Sequence, residues 1–152
     1  MQPNSMAKKL RALAGNIPAQ NNLLKQALAQ ETVNQVVGDT PVDTGRARGG
    51  WVTTIGKPDT SSVPQGAYGP SRHKGHNNIG FPTRGGDFSF NTADEKIKGS
   101  KPGEPIYLNN NLPYIARLNE GYSTQAPSGF FEIAVTRARA ILGRQKIRWK
   151  LE

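Results

Sequence analysis

The chain has 152 residues, no cysteine and a formal net charge of +9 at pH 7, so its length suits a single domain, residues 1–152, and disulfides, zinc–thiolate sites and thiol chemistry are excluded. No apolar run approaches the roughly 18 residues of a membrane-spanning helix, and the opening MQPNSMAKKLRALAG lacks the apolar core of a secretory signal, so neither membrane insertion nor export is expected. Glycine (17), proline (11) and a hydrophobic share of 35% leave a lean core with much loop, and the positive charge calls for acidic partners, either nucleic acid or acidic protein faces.

Ser5 to Leu13 reads as a short helix closed by Gly15-Asn16, with Pro18 in the first turn of a second helix. Along LLKQALAQETVNQVV, Leu24, Ala27, Leu28 and Val36 recur at helical spacing. Gly38 ends that helix and Pro41 forbids its continuation. GGWVTTIGK reads as a strand, in which Trp51, Thr53 and Ile55 alternate with Val52 and Thr54.

Residues 58–103 are rich in Gly, Pro, Ser and Asn. A loop of this length is unusual in a compact domain, and it predicts an extended insertion arm or long hairpin whose order depends on partners. Within it, DFSFN (Asp87–Asn91) has strand alternation. EPIYLNN is a strand, with Ile106 and Leu108 on one face and Tyr107 on the other. LPYIARLNEG is a short helix: Pro113 suits its first turn, Tyr114, Ile115 and Leu118 give an apolar side, and Gly121 closes it. After the loop YSTQAPSG, Phe130 to Gly143 is the clearest helix, because Phe131, Ala134, Val135, Ala138, Ile141 and Leu142 keep its spacing. In the closing KIRWKLE, Ile147, Trp149 and Leu151 alternate with charged residues, which is strand periodicity.

TPVDTGRARGGW contains Asp43-Thr44-Gly45, the tripeptide that supplies a carboxylate in aspartic proteases. That chemistry needs two aspartates sharing one proton, so a single copy requires a homodimer; ILGRQ, Ile141 to Gln145, matches a string that dimeric retroviral proteases carry. Against catalysis, a helix and Pro41 precede the triplet where an apolar strand is needed. Arg46 places a charge beside the carboxylate, and a long polar segment separates the two strings. The structural reading has Pro41 stopping the helix. Asp43 and Thr44 fold onto backbone N–H groups, and Gly45 supplies a positive φ. Arg46 and Arg48 then share one face of an already extended chain. No enzymatic activity is expected, and no metal or cofactor either: His73 and His76 in HKGH lack further ligands nearby, and TRGGD lacks the ending of a phosphate loop.

On the last helix, Arg137 and Arg144 fall about 100° to one side of the apolar stripe, and Arg139 and Lys146 about 100° to the other. Charges that flank a stripe favour a packed interface over a helix laid on phosphates. Non-specific nucleic-acid contact stays open through Arg72, Lys74 and Arg84 with Tyr68 and Phe81.

Two strings, taken together, carry a resemblance. TPVDTGRARGGW follows a helix and opens a strand, and PIYLNNNLPYIARLNEGYSTQAPSGFFEIAV comes later in the chain. The pair resembles the tail-completion or neck proteins of long-tailed bacteriophages over residues 18–143. The matching positions are Pro41 to Arg46, Asn110 to Tyr114, Glu120-Gly121 and Gln125 to Gly129; Ala47 stands where a larger apolar residue is common in that family. The resemblance implies an α+β fold, a small antiparallel sheet packed by N-terminal and C-terminal helices. Pro41, Asp43, Thr44, Gly45 and Trp51 shape the first junction, and Asn110, Pro113, Tyr114, Gly121 and Pro127 the second. It also implies a virion structural protein of the neck, assembled in the host cytoplasm. Such proteins form a ring, commonly of six subunits, between the head connector and the tail tube or tail-terminator ring, through which DNA passes. A tail-terminator or head-side stopper ring is the alternative. Arg46, Arg48, Arg72, Lys74, Arg84, Arg137, Arg139, Arg144, Lys146 and Trp149 are then candidates for contacts with neighbouring subunits.

Overall fold

A computed structural model describes residues 3–42, 45–61 and 86–144. Seven elements follow in order: α1 (Pro3–Asp39), α2 (Arg46–Gly49), β1 (Trp51–Ile55), α3 (Asp87–Gly99), β2 (Ile106–Asn110), α4 (Ile115–Asn119) and α5 (Phe130–Arg144). The architecture is the expected α+β fold. β1 and β2 pair antiparallel from Trp51 opposite Asn110 to Ile55 opposite Ile106. A two-stranded sheet is marginal by itself and needs a helical layer. Here α1 packs on α5 and α3, and α3 packs on β1.

The core is small. Val33, Val36 and Val37 of α1 meet Trp51, Ala93, Ile97 and Ala134, with Ala29, Phe90, Ile106, Leu108, Ile115 and Phe131 around them. The Trp51 and Phe131 rings pack edge to face at 5.1 Å, a favoured aromatic geometry. Each fully buried valine or phenylalanine contributes about 1.5–3 kcal/mol relative to exposure. With so few such residues, the polar ties described below carry weight in fixing the arrangement.

β1, β2, α4 and α5 lie where the alternation and spacing place them, with Ile106 and Leu108 turned to the core. Other expectations are corrected. The N-terminal region is a single 37-residue helix with Pro18 inside it, where two helices separated at Gly15-Asn16 were expected. Proline there removes one i→i−4 hydrogen bond, which a long helix tolerates. Leu24 and Ala27 are exposed; the buried stripe is Ala29, Val33, Val36 and Val37.

DFSFN is the start of helix α3, where a strand was expected. Phe90, Ala93 and Ile97 are spaced by three and four, so one helical face carries them to the core, where Ala93 is 0% and Ile97 2% exposed. The expected arm over 58–103 is therefore not an arm throughout, because its C-terminal part is core. Residues 62–85, and the strand expected in KIRWKLE, lie outside the described residues.

Polar side chains of α1 fix where the helix joins the domain. Asn22 and Gln26 each donate to the Ser100 carbonyl at 3.0 Å. Lys25 Nζ donates to the Lys101 and Glu104 carbonyls at 2.8 and 2.7 Å. Residues 8–19 are exposed all round. Among the described residues, the domain grips α1 from about Asn22 onward, and the first half of the helix projects from them.

Candidate functional site

The residues singled out in sequence converge on the joint where α1 ends and β1 begins. α1 stops at Asp39, and Pro41 is buried just beyond it. Thr40, 1% exposed, donates its hydroxyl to the Val36 carbonyl at 2.6 Å and accepts the Trp51 indole N–H at 2.8 Å. One side chain thus closes the helix and anchors the largest core ring. Gly45 has φ 87, the left-handed conformation that glycine adopts without strain, as expected. Asp43 and Thr44 lie outside the described residues, and with them the Asp-Thr-Gly carboxylate.

The chain then makes the short helix α2 before the strand, where a direct passage into extended chain was expected. That changes the arginines. Two residues apart on a helix face different ways, so Arg46 is exposed while Arg48 turns inward. Arg48 Nη2 donates to the Gly38 and Thr40 carbonyls at 3.0 and 3.1 Å. One carbonyl is in the last turn of α1 and the other just past its end, where a cation is favoured. Burial lowers the Arg48 guanidinium from its ordinary value, and the Asp39 charge acts in the opposite direction. Ala47, between the two arginines, is buried.

The second string closes on the first. Gln125 accepts the Val42 N–H at 2.9 Å and donates to the Val42 carbonyl at 3.0 Å. Its amide acts as a one-residue strand partner. Asn110 donates to the Ala47 carbonyl at 2.8 Å and accepts the Leu112 N–H. Gly50 sits under it, and a Cβ there would lie 3.0 Å from both Asn110 Oδ1 and a Leu112 methyl. The flanking asparagines hold the start of the insertion: Asn109 Oδ1 accepts the Asp59 N–H, and Asn111 donates to the Asp59 and Ser61 carbonyls. Asn119 ends α4 and starts α5, its side chain accepting the Phe131 N–H at 3.0 Å and its carbonyl the Gly129 N–H at 2.6 Å.

Pro41, Arg48, Pro127 and Arg137 line one cleft of about 220 Å³ with Asp39 and Ile133. Arg137 is bound within the chain, to Asp39 at 2.8 Å and Gln35 at 3.3 Å. Gly121, with φ 93, closes α4 beside Ser128; Pro113 and Tyr114 precede α4. Arg139 lies on a second, apolar cleft of about 360 Å³ with Lys25, Val135 and Leu108, and Arg144 is exposed at the end of α5. The structure does not bring these two arginines into the joint. Arg72, Lys74, Arg84, Lys146 and Trp149 lie outside the described residues.

Thr40, Asn119 and Gln125 do the tying, and only their residue types hinted at it. The polar groups of the joint are directed at backbone and at one another, an arrangement suited to holding a surface in shape. No family model, no curated protein and no solved structure matches the chain.

Proposed function

We propose that the chain is a virion structural subunit of the phage neck, a tail-completion protein whose copies form a ring between the head connector and the tail tube. The observation that carries this reading is the joint. The two strings that resemble the neck family are held together by the Gln125 amide on the Val42 backbone, so they make one structural unit. The exposed apolar side chains support it as well. Leu23 is 65% and Tyr122 72% exposed, with Met6, Leu10 and Ile17 above half, a surface suited to being covered in an assembly. The ring of six, the adjoining connector and tail proteins, and contact between basic loops and channel DNA belong to this reading.

Mass by light scattering on the purified protein, and immunodetection in neck fractions of particles, test it. A multiple of the subunit mass and incorporation into particles are expected. A strict monomer that never enters particles overturns it, and salt-sensitive DNA binding without assembly would instead favour a nucleic-acid-binding protein.

A further inference from the structure

α1 carries a seam that none of the other described residues covers. Met6, Leu10, Leu13, Ile17 and Leu24 are 56%, 57%, 42%, 51% and 39% exposed. At 100° per residue they fall within a wedge of about 60°. The core stripe of the same helix, Ala29, Val33, Val36 and Val37, is centred about 160° away. The exposed stripe therefore points away from the domain. Its spacing is that of a heptad, with Met6, Leu13 and Gln20 at one seam position and Leu10, Ile17 and Leu24 at the other, which is the pattern of a coiled coil. Gly15 and Pro18, the two weakest helix formers in the segment, both lie off the seam. A helix with such residues, gripped only beyond Asn22, is marginal alone.

We propose that this segment pairs antiparallel with the same segment of a second copy of the chain. The seam is symmetric about Gly15, which selects that occupant. Laid antiparallel on itself, it places Met6 on Leu24 of the second copy, Leu10 on Gln20 and Leu13 on Ile17. Every layer then joins the two kinds of seam position, as an antiparallel pair requires. The flanks agree. Lys9 falls beside Leu23 of the second copy, Ala14 beside Ala14 and Asn16 beside Asn16. No like charges meet, the Lys9 stem lies along apolar surface, and Leu23, 65% exposed, becomes covered. Residues 3–30 contain Lys8, Lys9, Arg11 and Lys25 but no acid. Lys8 and Arg11 point away from the seam, so their repulsion acts through solvent, where salt screens it. Antiparallel packing also sets the two helix dipoles in opposition and the two domains at opposite ends. The contact is isologous and closes at two copies, so it does not by itself build a ring, and it stands whether or not the ring reading holds.

The chain has no cysteine, so introduced thiols report on the seam alone. Met6→Cys mixed with Leu24→Cys should give a disulfide-linked dimer on mild oxidation. Either variant alone should not, because like residues lie about 27 Å apart along the axis, too far for a disulfide. Light scattering should show that Leu13→Lys halves the assembled mass, while the melting temperature of the domain is unchanged, since Leu13 is outside the core. A crosslink from Met6→Cys alone would make the pair parallel and overturn the proposal. So would a wild-type chain that stays monomeric at high micromolar concentration, leaving the seam to another protein, or an assembly whose mass Leu13→Lys does not alter.

Discussion

The Gln125 side-chain amide forms two hydrogen bonds with the backbone of Val42, at 2.9 and 3.0 Å, across 83 residues of chain. Val42 is 4% exposed, so its backbone groups have little access to water. Gln125→Ala should destabilise the domain by about 1–3 kcal/mol, two hydrogen bonds at about 0.5–1.5 each. Gln125→Glu keeps an acceptor for the N–H but sets a carboxylate oxygen against the Val42 carbonyl. It should cost at least as much at neutral pH and less in acid. Urea unfolding followed by circular dichroism measures both.

Thr40 and Trp51 make a second such pair. Thr40→Val keeps the shape but leaves the buried indole N–H without an acceptor, at a cost of about 1–3 kcal/mol. Thr40→Ser retains the hydroxyl and should recover most of that. Thermal unfolding ranks the three chains, and tryptophan emission checks that the ring stays buried.

Thr53 predicts the opposite sign. It is 2% exposed, and its hydroxyl has no hydrogen-bond partner among the described residues. An unpaired buried hydroxyl is unfavourable. Thr53→Val should be neutral or stabilising, by up to about 2 kcal/mol, with a raised midpoint in urea and an unchanged slope. A loss of stability would show that the hydroxyl has a partner in solution.

Asp59 is the carboxyl group to follow by pH. The Ser61 backbone N–H and hydroxyl both donate to it at 2.9 Å, holding it below the usual aspartate range. A carboxyl depressed in the folded chain adds stability above its unfolded value, and that contribution is lost as pH falls through the folded one. Carboxyl chemical shifts across an acid titration should place Asp59 below the ordinary aspartate range. Ser61→Ala should move it part of the way back.

Legibility in the sequence followed the range of the interaction. Trp51 to Ile55 and Ile106 to Asn110 alternate, and Phe130 to Arg144 keeps helical spacing, so local periodicity sufficed. Gly15-Asn16 followed by Pro18 is a strong local stop signal, yet the helix continues through it. Phe88-Ser89-Phe90 alternates over too few residues to reveal the helical set Phe90, Ala93 and Ile97. Pro41, Gly45, Trp51 and Asn110 were identifiable as shaping residues. Their joining was not, because Gln125 meets Val42 only once the fold is complete. Arg48 was misplaced for one reason: four residues of helix before β1 turn it from the surface to the carbonyls of α1.

The unbroken length of α1 has a mechanical consequence. One continuous helical rod, firm once its seam is covered, carries the core valines near one end and that seam near the other, so the angular phase between them is fixed by the number of residues in between. Whatever grips the seam therefore sets the heading of the whole domain about the rod, and a twist applied at Met6 is delivered as torque at Val37. A domain mounted in this way is aimed by its handle. A single inserted residue between Ile17 and Asn22 would swing Met6 to Ile17 about the rod by about 100° and leave the hydrogen bonds of Asn22, Lys25 and Gln26 to the domain in place.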